Sequence, residues 1–238
     1  MTDYTRLIDA ETWAFIEETG RYYPADAVTS SIGEQRAVYD RMCQAFDKGR
    51  PVGLAVEDRD IAGVPCRIYG TGGPARVVYY HGGGWVVGGL DSHDDVCAEI
   101  ADATGYCLTA VDYRLAPEHK HPASFDDALA VTRAIAAEGL PLILAGDSAG
   151  GNIAAAVAHS MRESGANIAG MVLIYPGLGG DRNKGSYVTH ADAPMLTRDD
   201  IDFYGKIRVA EGQSIAGDPT AFPLADDDFT GLPPAYIV

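Results

Sequence analysis

The sequence predicts an α/β fold with a mostly parallel central sheet and helices on both faces. Two observations lead to this fold class. The chain has 238 residues and is 47% hydrophobic, which is enough to bury one full core. From residue 76 onward, short apolar runs alternate with segments of helical periodicity. Strands separated by helical segments form parallel sheets covered by helices on both sides.

Each predicted element follows from the spacing of its apolar residues. Spacing of three or four residues indicates a helix, a short apolar or alternating run indicates a strand, and glycine and proline mark the ends. The predicted elements are, in order, helices over about 9–19 and 32–46, strands over 52–61, 64–69 and 76–80, a helix over 92–104, a strand over 106–111, a helix over 125–138, a strand over 141–145, a helix over 152–158 and a strand over 168–175. We interpret the loop-rich segment 176–234, with one helical stretch at about 198–209, as a lid-like insertion.

Composition excludes several classes of partner. There are 18 Lys and Arg against 34 Asp and Glu, a net charge of −16 that repels nucleic acid and anionic lipid. No window approaches 18 uninterrupted apolar residues and the N-terminus lacks a basic leader, so we expect neither a membrane span nor a secretion signal. The four cysteines lack C-x-x-C spacing, and we interpret them as reduced thiols of a cytoplasmic protein.

Residues 141–158 combine a strand, a five-residue turn and a helix. The turn is Gly146-Asp147-Ser148-Ala149-Gly150. A serine hydroxyl is a poor nucleophile at neutral pH, so it must be held clear of the sheet beside a base and backbone donors. Glycines on either side let such a strained turn close without Cβ clashes. We therefore predict that Ser148 is a nucleophile.

A second glycine-rich turn, His81-Gly82-Gly83-Gly84-Trp85, directly follows the strand 76–80. Since reactive groups of parallel sheets lie at the carboxyl ends of strands, this turn and Ser148 are expected to share one crevice. Three residues without side chains expose backbone N–H groups, which together with the N–H of Ala149 would form an oxyanion hole. His81 precedes the serine, and we expect it to shape the glycine turn rather than act as the base.

The other polar clusters are predicted to be structural. The run from Asp112 to Glu118 ends a strand with two carboxylates and a cation, which favours ion pairing. Asp147 is expected to orient its neighbours, because side chains of adjacent elbow residues diverge. His119 and His121 lack the spacing of a metal site, and we expect neither a metal ion nor a cofactor.

In this order and at these intervals, the segments 81–85, 112–118 and 146–151 resemble the hormone-sensitive-lipase-like branch of the α/β-hydrolases, the bacterial family IV carboxylesterases. The resemblance runs from about Val52 to Val238. It implies N-terminal cap helices at 1–50, an α/β-hydrolase core at 51–238 and a cap insertion at about 177–222.

For the site, the resemblance implies that Ser148 is acylated and that the N–H groups of Gly82, Gly83 and Ala149 form the oxyanion hole. It also implies substrate contacts at Gly84 and Trp85, and short-chain acyl esters as the small-molecule substrates.

The base and acid that Ser148 needs do not stand where this fold places them, after the serine with the acid first. Only His159 and His190 follow Ser148. His159 lies along the helix that leaves the elbow, roughly 15 Å away at about 1.5 Å per residue, and His190 is expected to be a surface residue of the insertion. The resemblance puts the acid shortly after a strand like 235–238 and the histidine after the next strand. We therefore expect a C-terminally truncated core, with its last strands absent and little or no turnover by this chain alone.

Two other functions stay open. The absent histidine suggests a non-catalytic protein that binds a small ligand on a hydrolase scaffold. Amide or formamide hydrolysis by the same serine uses the same acyl chemistry. The sequence also leaves a homodimer open.

Overall fold

The fold is built on one twisted sheet. A computed structural model describes residues 2–24 and 27–238, and among these residues seven strands form a single sheet in the order β1-β2-β4-β3-β5-β6-β7. The strands are β1 (Val56–Ile61), β2 (Val64–Tyr69), β3 (Arg76–Tyr80), β4 (Cys107–Val111), β5 (Leu142–Asp147), β6 (Ile168–Ile174) and β7 (Ala235–Ile237). β2 pairs antiparallel with β1 and β4, and all other neighbours pair parallel. The predicted mostly parallel sheet is confirmed.

The described residues form seven α-helices. They are α1 (Ala10–Tyr22), α2 (Ile32–Phe46), α3 (Asp94–Thr104), α4 (Ala123–Ala136), α5 (Ala149–Met161), α6 (Ser186–Thr189) and α7 (Arg198–Ile207). Of these, α3, α4 and α5 cover the two faces of the sheet. Side chains of a strand alternate between faces, so Val78 and Tyr80 of β3 pack with α4 and α5, whereas Val77 and Tyr79 pack with α3. The central strands β3 and β5 are thereby buried on both sides, and their carboxyl ends meet at one edge.

Two differences from the predictions concern the start of β1 and the loop-rich segment before β7. β1 begins at Val56 rather than Val52, because a turn in which the N–H of Leu54 donates to the carbonyl of Pro51 (3.3 Å) precedes it. The loop-rich segment contains a short helix, α6, in addition to the predicted α7, since four residues are too few to show a period. Within the described part of the chain, no helix combines the length and apolar character needed to cross a membrane.

Candidate active site

Ser148 lies in a strained turn between β5 and α5. Its backbone has φ +52° and ψ −113°, a conformation that residues with a side chain seldom adopt. The Ser148 N–H donates to the carbonyl of Ile174 on β6 at 2.8 Å, and its own carbonyl accepts the first hydrogen bond of α5, from Asn152 at 3.1 Å. The turn is therefore fixed on both sides by backbone hydrogen bonds.

Glycine is required on both sides of Ser148. A Cβ on Gly146 would lie 2.6 Å from the carbonyl oxygen of Tyr80, and one on Gly150 would lie 1.8 Å from the same oxygen. Both distances are shorter than any real contact, so α5 and β5 approach the end of β3 only because these side chains are absent. This local geometry is that of a strand–turn–helix elbow with the serine at its tip.

Asp147, next to Ser148, binds the turn that follows β3. Its Oδ1 accepts hydrogen bonds from the N–H of Gly82 and the hydroxyl of Tyr79, both at 2.9 Å, and lies 3.4 Å from Nε2 of His93. The residue is only 8% exposed. Burial by itself raises the pKa of the carboxyl, but the hydrogen bond and charge of His93 and the Tyr79 hydroxyl outweigh it and hold the pKa below its ordinary value. The ionised carboxylate thus joins the two turns of the site.

The glycine turn has a conformation that depends on its missing side chains. Gly83 and Gly84 have φ of +112° and +60°. A Cβ would lie 2.0 Å from the Asp147 carboxylate at Gly82, 2.2 Å from the carbonyl oxygen of Val87 at Gly83, and 2.6 Å from the Tyr204 ring at Gly84. All three glycines are therefore needed for the turn to fit between Asp147 and α7.

The N–H groups of this turn are not equivalent. That of Gly82 is engaged by Asp147 and is not free to receive a substrate oxygen. Within residues 2–24 and 27–238, the N–H groups of Gly83, Gly84 and Ala149 donate to no protein acceptor. This differs from the sequence-based trio of Gly82, Gly83 and Ala149, and the physical reason is the Asp147 carboxylate. The available donors are those of Gly83, Gly84 and Ala149.

His81 supports the turn from behind. Its Nδ1 donates to the carbonyl of Gly82 at 2.7 Å, its ring stacks on Tyr113 with centroids 4.2 Å apart, and the Tyr113 hydroxyl donates to the His81 carbonyl at 2.6 Å. Burial, assisted by the neighbouring His93, lowers the pKa of His81 to about 4. The ring is therefore neutral near pH 7, and its contacts are those of a structural residue.

The two histidines after Ser148 lie in different surroundings. His159, on α5, places Nε2 2.8 Å from Oδ2 of Asp226. His190 follows α6, is exposed, and places Nδ1 3.1 Å from the Tyr4 hydroxyl. Within the described ranges, neither ring, nor any other protein group, is hydrogen-bonded to the Ser148 hydroxyl. His190 does line the cavity above Ser148.

The run 112–118 contributes ion pairs rather than acid–base groups. Arg114 binds Asp127 of α4 through both carboxylate oxygens, the closest contacts being 2.8 Å. Glu118 binds Arg36 of α2 at 2.7 and 2.9 Å. Since Arg36 also donates to the Val86 carbonyl at 2.8 Å, this pair ties α2 to the segment that follows the glycine turn.

A cavity of about 980 Å³ opens above Ser148, and its size lies in the range of small-molecule sites. Its floor contains Ser148, Ala149 and the glycine turn with Trp85. Its walls come from α1, α2, α7 and the segment before α7, and are mostly apolar or aromatic: Ile16, Tyr23, Tyr39, Met42, Tyr187, Met195, Leu196, Ile201 and Tyr204. Helices from both ends of the described chain thus enclose one pocket over the serine.

Three residues of the site have no signal in the sequence pattern: His93 at the Asp147 carboxylate, Tyr204 on Gly84, and Arg208, whose guanidinium lies 3.6 Å above the Trp85 ring. Tyr204 and Arg208 reach the glycine turn, and His93 reaches Asp147, across long separations in sequence, so only the tertiary structure reveals these contacts.

Comparison with known proteins identifies related molecules. A family model described as the alpha/beta hydrolase fold matches residues 77–238. Carboxylesterase NlhH of Mycobacterium tuberculosis is 44% identical over 172 residues, covering 68% of this chain and 54% of NlhH. The chain thus spans about half the length of the curated relatives that it matches first.

Solved structures agree over most of the chain. A hyperthermophilic esterase from the archaeon Pyrobaculum calidifontis superimposes with a TM-score of 0.86 at 31% identity, covering 97% of this chain and 79% of that one. An esterase of the bacterial hormone-sensitive lipase family gives a TM-score of 0.83 at 26% identity, covering 97% and 78%.

Proposed function

Because the chain belongs to the α/β-hydrolase family, in its hormone-sensitive-lipase-like branch, we propose that it is a carboxylic ester hydrolase with Ser148 as nucleophile. One observation carries this proposal. Ser148 stands at the tip of a strained turn, on the floor of an apolar cavity, beside three N–H groups to which no protein acceptor within the described residues is bound. Relatives with carboxylesterase and esterase in their names support it.

The reaction begins with attack of the Ser148 oxygen on the acyl carbon. The carbonyl π electrons move to the carbonyl oxygen, and the serine proton passes to a base. The N–H groups of Gly83, Gly84 and Ala149 donate to the resulting oxyanion, with Gly84 in the role that the sequence suggested for Gly82. Collapse of the tetrahedral intermediate expels the alcohol, which takes a proton, and leaves an ester on Ser148. Water then hydrolyses this ester by the same two steps.

The base and its orienting acid are proposed to lie outside the 238 residues. Support comes from the geometry of the histidines: His81 is buried behind the turn, His159 is bound to Asp226, and none is hydrogen-bonded to Ser148 within the described ranges. Without them we expect most turnover to be lost, although the oxyanion donors alone can leave a rate about 10³-fold above that of the uncatalysed reaction in water.

Substrate selection is proposed to rest on the helices that wall the cavity. α1 and α2, with α6 and α7, serve as a cap that screens the acyl carbon from bulk water, and Gly84 and Trp85 contact the substrate on the floor. Short-chain acyl esters are the proposed substrates. The four free cysteines favour a reducing compartment, and we place the protein in the cytoplasm.

Hydrolysis of p-nitrophenyl butyrate tests the proposal. The assay compares this chain, a version that carries any residues encoded in frame after Val238, and Ser148→Ala in each. We expect weak release of nitrophenolate from the first and faster turnover from the second, and Ser148→Ala should abolish the difference between them. An extended protein that is folded but no faster than this chain, or a gain in rate that survives Ser148→Ala, would contradict the assignment.

A second function is supported by the Ser148 hydroxyl, to which no group in residues 2–24 and 27–238 is hydrogen-bonded. A protein without a base on its serine could bind a small apolar acid or ester in the cavity without turning it over. Tight binding of butyrate or an ethyl ester by both versions, with no turnover by either, is the result that favours this alternative.

A further inference from the structure

Cap helix α7 touches the glycine turn at two points. The Tyr204 ring lies against Gly84 so closely that a Cβ there would be 2.6 Å from it. One turn later, Arg208, the C-cap residue that directly follows α7, places its guanidinium carbon 3.6 Å from the centroid of the Trp85 ring. Trp85 directly follows Gly84 and has a φ of +63°, a conformation that a tryptophan adopts only when its surroundings impose it.

Arg208 is an unusual residue to find at this contact. It is 3% exposed, and within the described part of the chain no carboxylate lies within 4.0 Å of it. Its Nη2 donates to the carbonyl of Ala221 at 2.9 Å, its Nε has no hydrogen-bond partner among the residues that the structure describes, and the Phe222 ring centroid is 4.9 Å away. Burial, together with the charge of Arg182, lowers the pKa of Arg208 to about 9.

Burying a cation without a carboxylate is unfavourable for stability. Two aromatic faces and one carbonyl offset part of that penalty, with cation–π attraction to tryptophan the strongest such contact. A hydrophobic side chain of similar size would fill this space at lower cost in stability. The position of Arg208 is therefore better explained by its contact with Trp85 than by a contribution to the stability of the core.

The backbone of Arg208 is itself anchored to the sheet domain. Its carbonyl accepts a hydrogen bond from the N–H of His121 at 2.8 Å, and the carbonyl of Ile207 accepts one from Lys120. Ala221, to which Arg208 donates, also accepts from Asn152 of α5 at 3.0 Å. The guanidinium thus extends from a backbone held by hydrogen bonds and packs against Trp85, the residue next to Gly84.

We propose that Arg208 is a positioning residue for the oxyanion hole: by stacking on Trp85 it keeps the strained turn in place and the N–H of Gly84 directed at the oxyanion. This role rests on the proposed function of Ser148. It makes α7 part of the catalytic framework as well as a wall of the cavity.

Butylboronic acid tests the role directly. The Ser148 oxygen adds to its trigonal boron and the serine proton leaves to solvent, giving a tetrahedral boronate anion that needs the oxyanion donors. Its affinity is measured by calorimetry and its tetrahedral state by boron NMR. The neutral ligand 3-hexanone, whose affinity is measured by NMR, tests binding in the cavity without the formation of an anion. The variants are Arg208→Met, Arg208→Lys and Ser148→Ala, with Lys206→Met, an exposed cation on the same helix, as the matched control.

We expect Arg208→Met to weaken boronate binding about 10-fold or more, as small displacements of catalytic groups do, while 3-hexanone affinity changes less than about twofold. Arg208→Lys keeps the charge but not the planar face, and should recover only part of the loss. Lys206→Met should bind both ligands as wild type does.

The two proposals fail in different ways. Boronate that binds wild type and Ser148→Ala equally overturns the nucleophile, and with it the oxyanion role. Boronate that requires Ser148 but binds Arg208→Met as tightly as wild type overturns the positioning role alone. A parallel loss of both ligands in Arg208→Met, with a lowered melting temperature, also overturns it, because Arg208 would then merely hold the fold together.

Discussion

Removing the Asp147 carboxylate should destabilise the whole protein as well as its site. Asp147→Ala leaves the buried N–H of Gly82 and hydroxyl of Tyr79 without an acceptor. Each unsatisfied buried donor costs about 1–3 kcal/mol, so the free energy of unfolding should fall by about 2–6 kcal/mol. Asp147→Asn keeps an acceptor oxygen but not the charge, and should lose about 2 kcal/mol, since hydrogen bonds to ionised groups are roughly twice as strong as neutral ones.

Urea unfolding followed by circular dichroism measures these differences at pH 7. Asp227→Ala, an exposed carboxylate, is the matched control and should change stability by less than about 0.5 kcal/mol. If Asp147→Ala lies within about 1 kcal/mol of wild type, or if Asn is worse than Ala, the carboxylate does not hold the glycine turn as described.

The same reasoning fixes a pH dependence. The pKa of Asp147 is lower in the folded protein than its ordinary value of 3.8, so its stabilisation is complete above the unfolded pKa and is lost as pH falls through the folded one. The difference in unfolding free energy between wild type and Asp147→Asn should therefore be constant above about pH 5 and shrink below pH 4. A difference that grows on acidification would mean that the carboxyl is protonated in the folded state.

Three further perturbations follow from the backbone and from His81. Gly150→Ala should cost about 3 kcal/mol of unfolding free energy or prevent folding, because its Cβ would lie 1.8 Å from the Tyr80 carbonyl oxygen. Gly33→Ala, in open space on α2, should stabilise by up to about 1 kcal/mol, and comparable urea midpoints for the two variants would contradict the clash. Ser148→Gly should be more stable than Ser148→Ala by about 1 kcal/mol, since only glycine adopts φ +52° without strain, and equal melting temperatures would show that the elbow is relaxed. Burial lowers the pKa of His81 from 6.5 to about 4, so the unfolded chain takes up the proton first and the free energy of unfolding should fall by about 3 kcal/mol from pH 6.5 to 4. A His81→Gln variant whose unfolding free energy falls as steeply with acidification as that of wild type would refute this.

The spacing of apolar residues predicted most of the fold, because the strands and helices that line the core are regular and bury one face or both. β3 and α2 begin and end at the predicted residues, and the strand–helix alternation correctly indicated parallel pairing. The prediction missed α6, which has a single turn, and placed the start of β1 four residues early, where Val52 is fully exposed in a turn. Neither feature has a buried face, so neither leaves an apolar period to detect.

Prediction of the candidate site was limited by contacts between distant segments. The elbow and the glycine turn are local in sequence, and both could be identified from their glycines. Which N–H groups are free could not, because the answer depends on a carboxylate that lies 65 positions from Gly82 along the chain. The contacts of Tyr204 and Arg208 with the turn were missed for the same reason: nothing in α7 distinguishes a helix that touches the glycine turn from one that only covers a cavity.

The glycine turn is held by two sets of contacts, and neither set involves the group that would take the proton of Ser148. Asp147 binds the N–H of Gly82, the first glycine of the turn, and Tyr204 and Arg208 pack on Gly84 and Trp85. Ser148 is fixed independently by the carbonyl of Ile174. Donors held this way need no reorganisation when charge develops on the substrate oxygen. In the proposed mechanism, a base supplied from elsewhere would therefore need only to reach the Ser148 hydroxyl, because the donors proposed to receive the oxyanion are already in place without it.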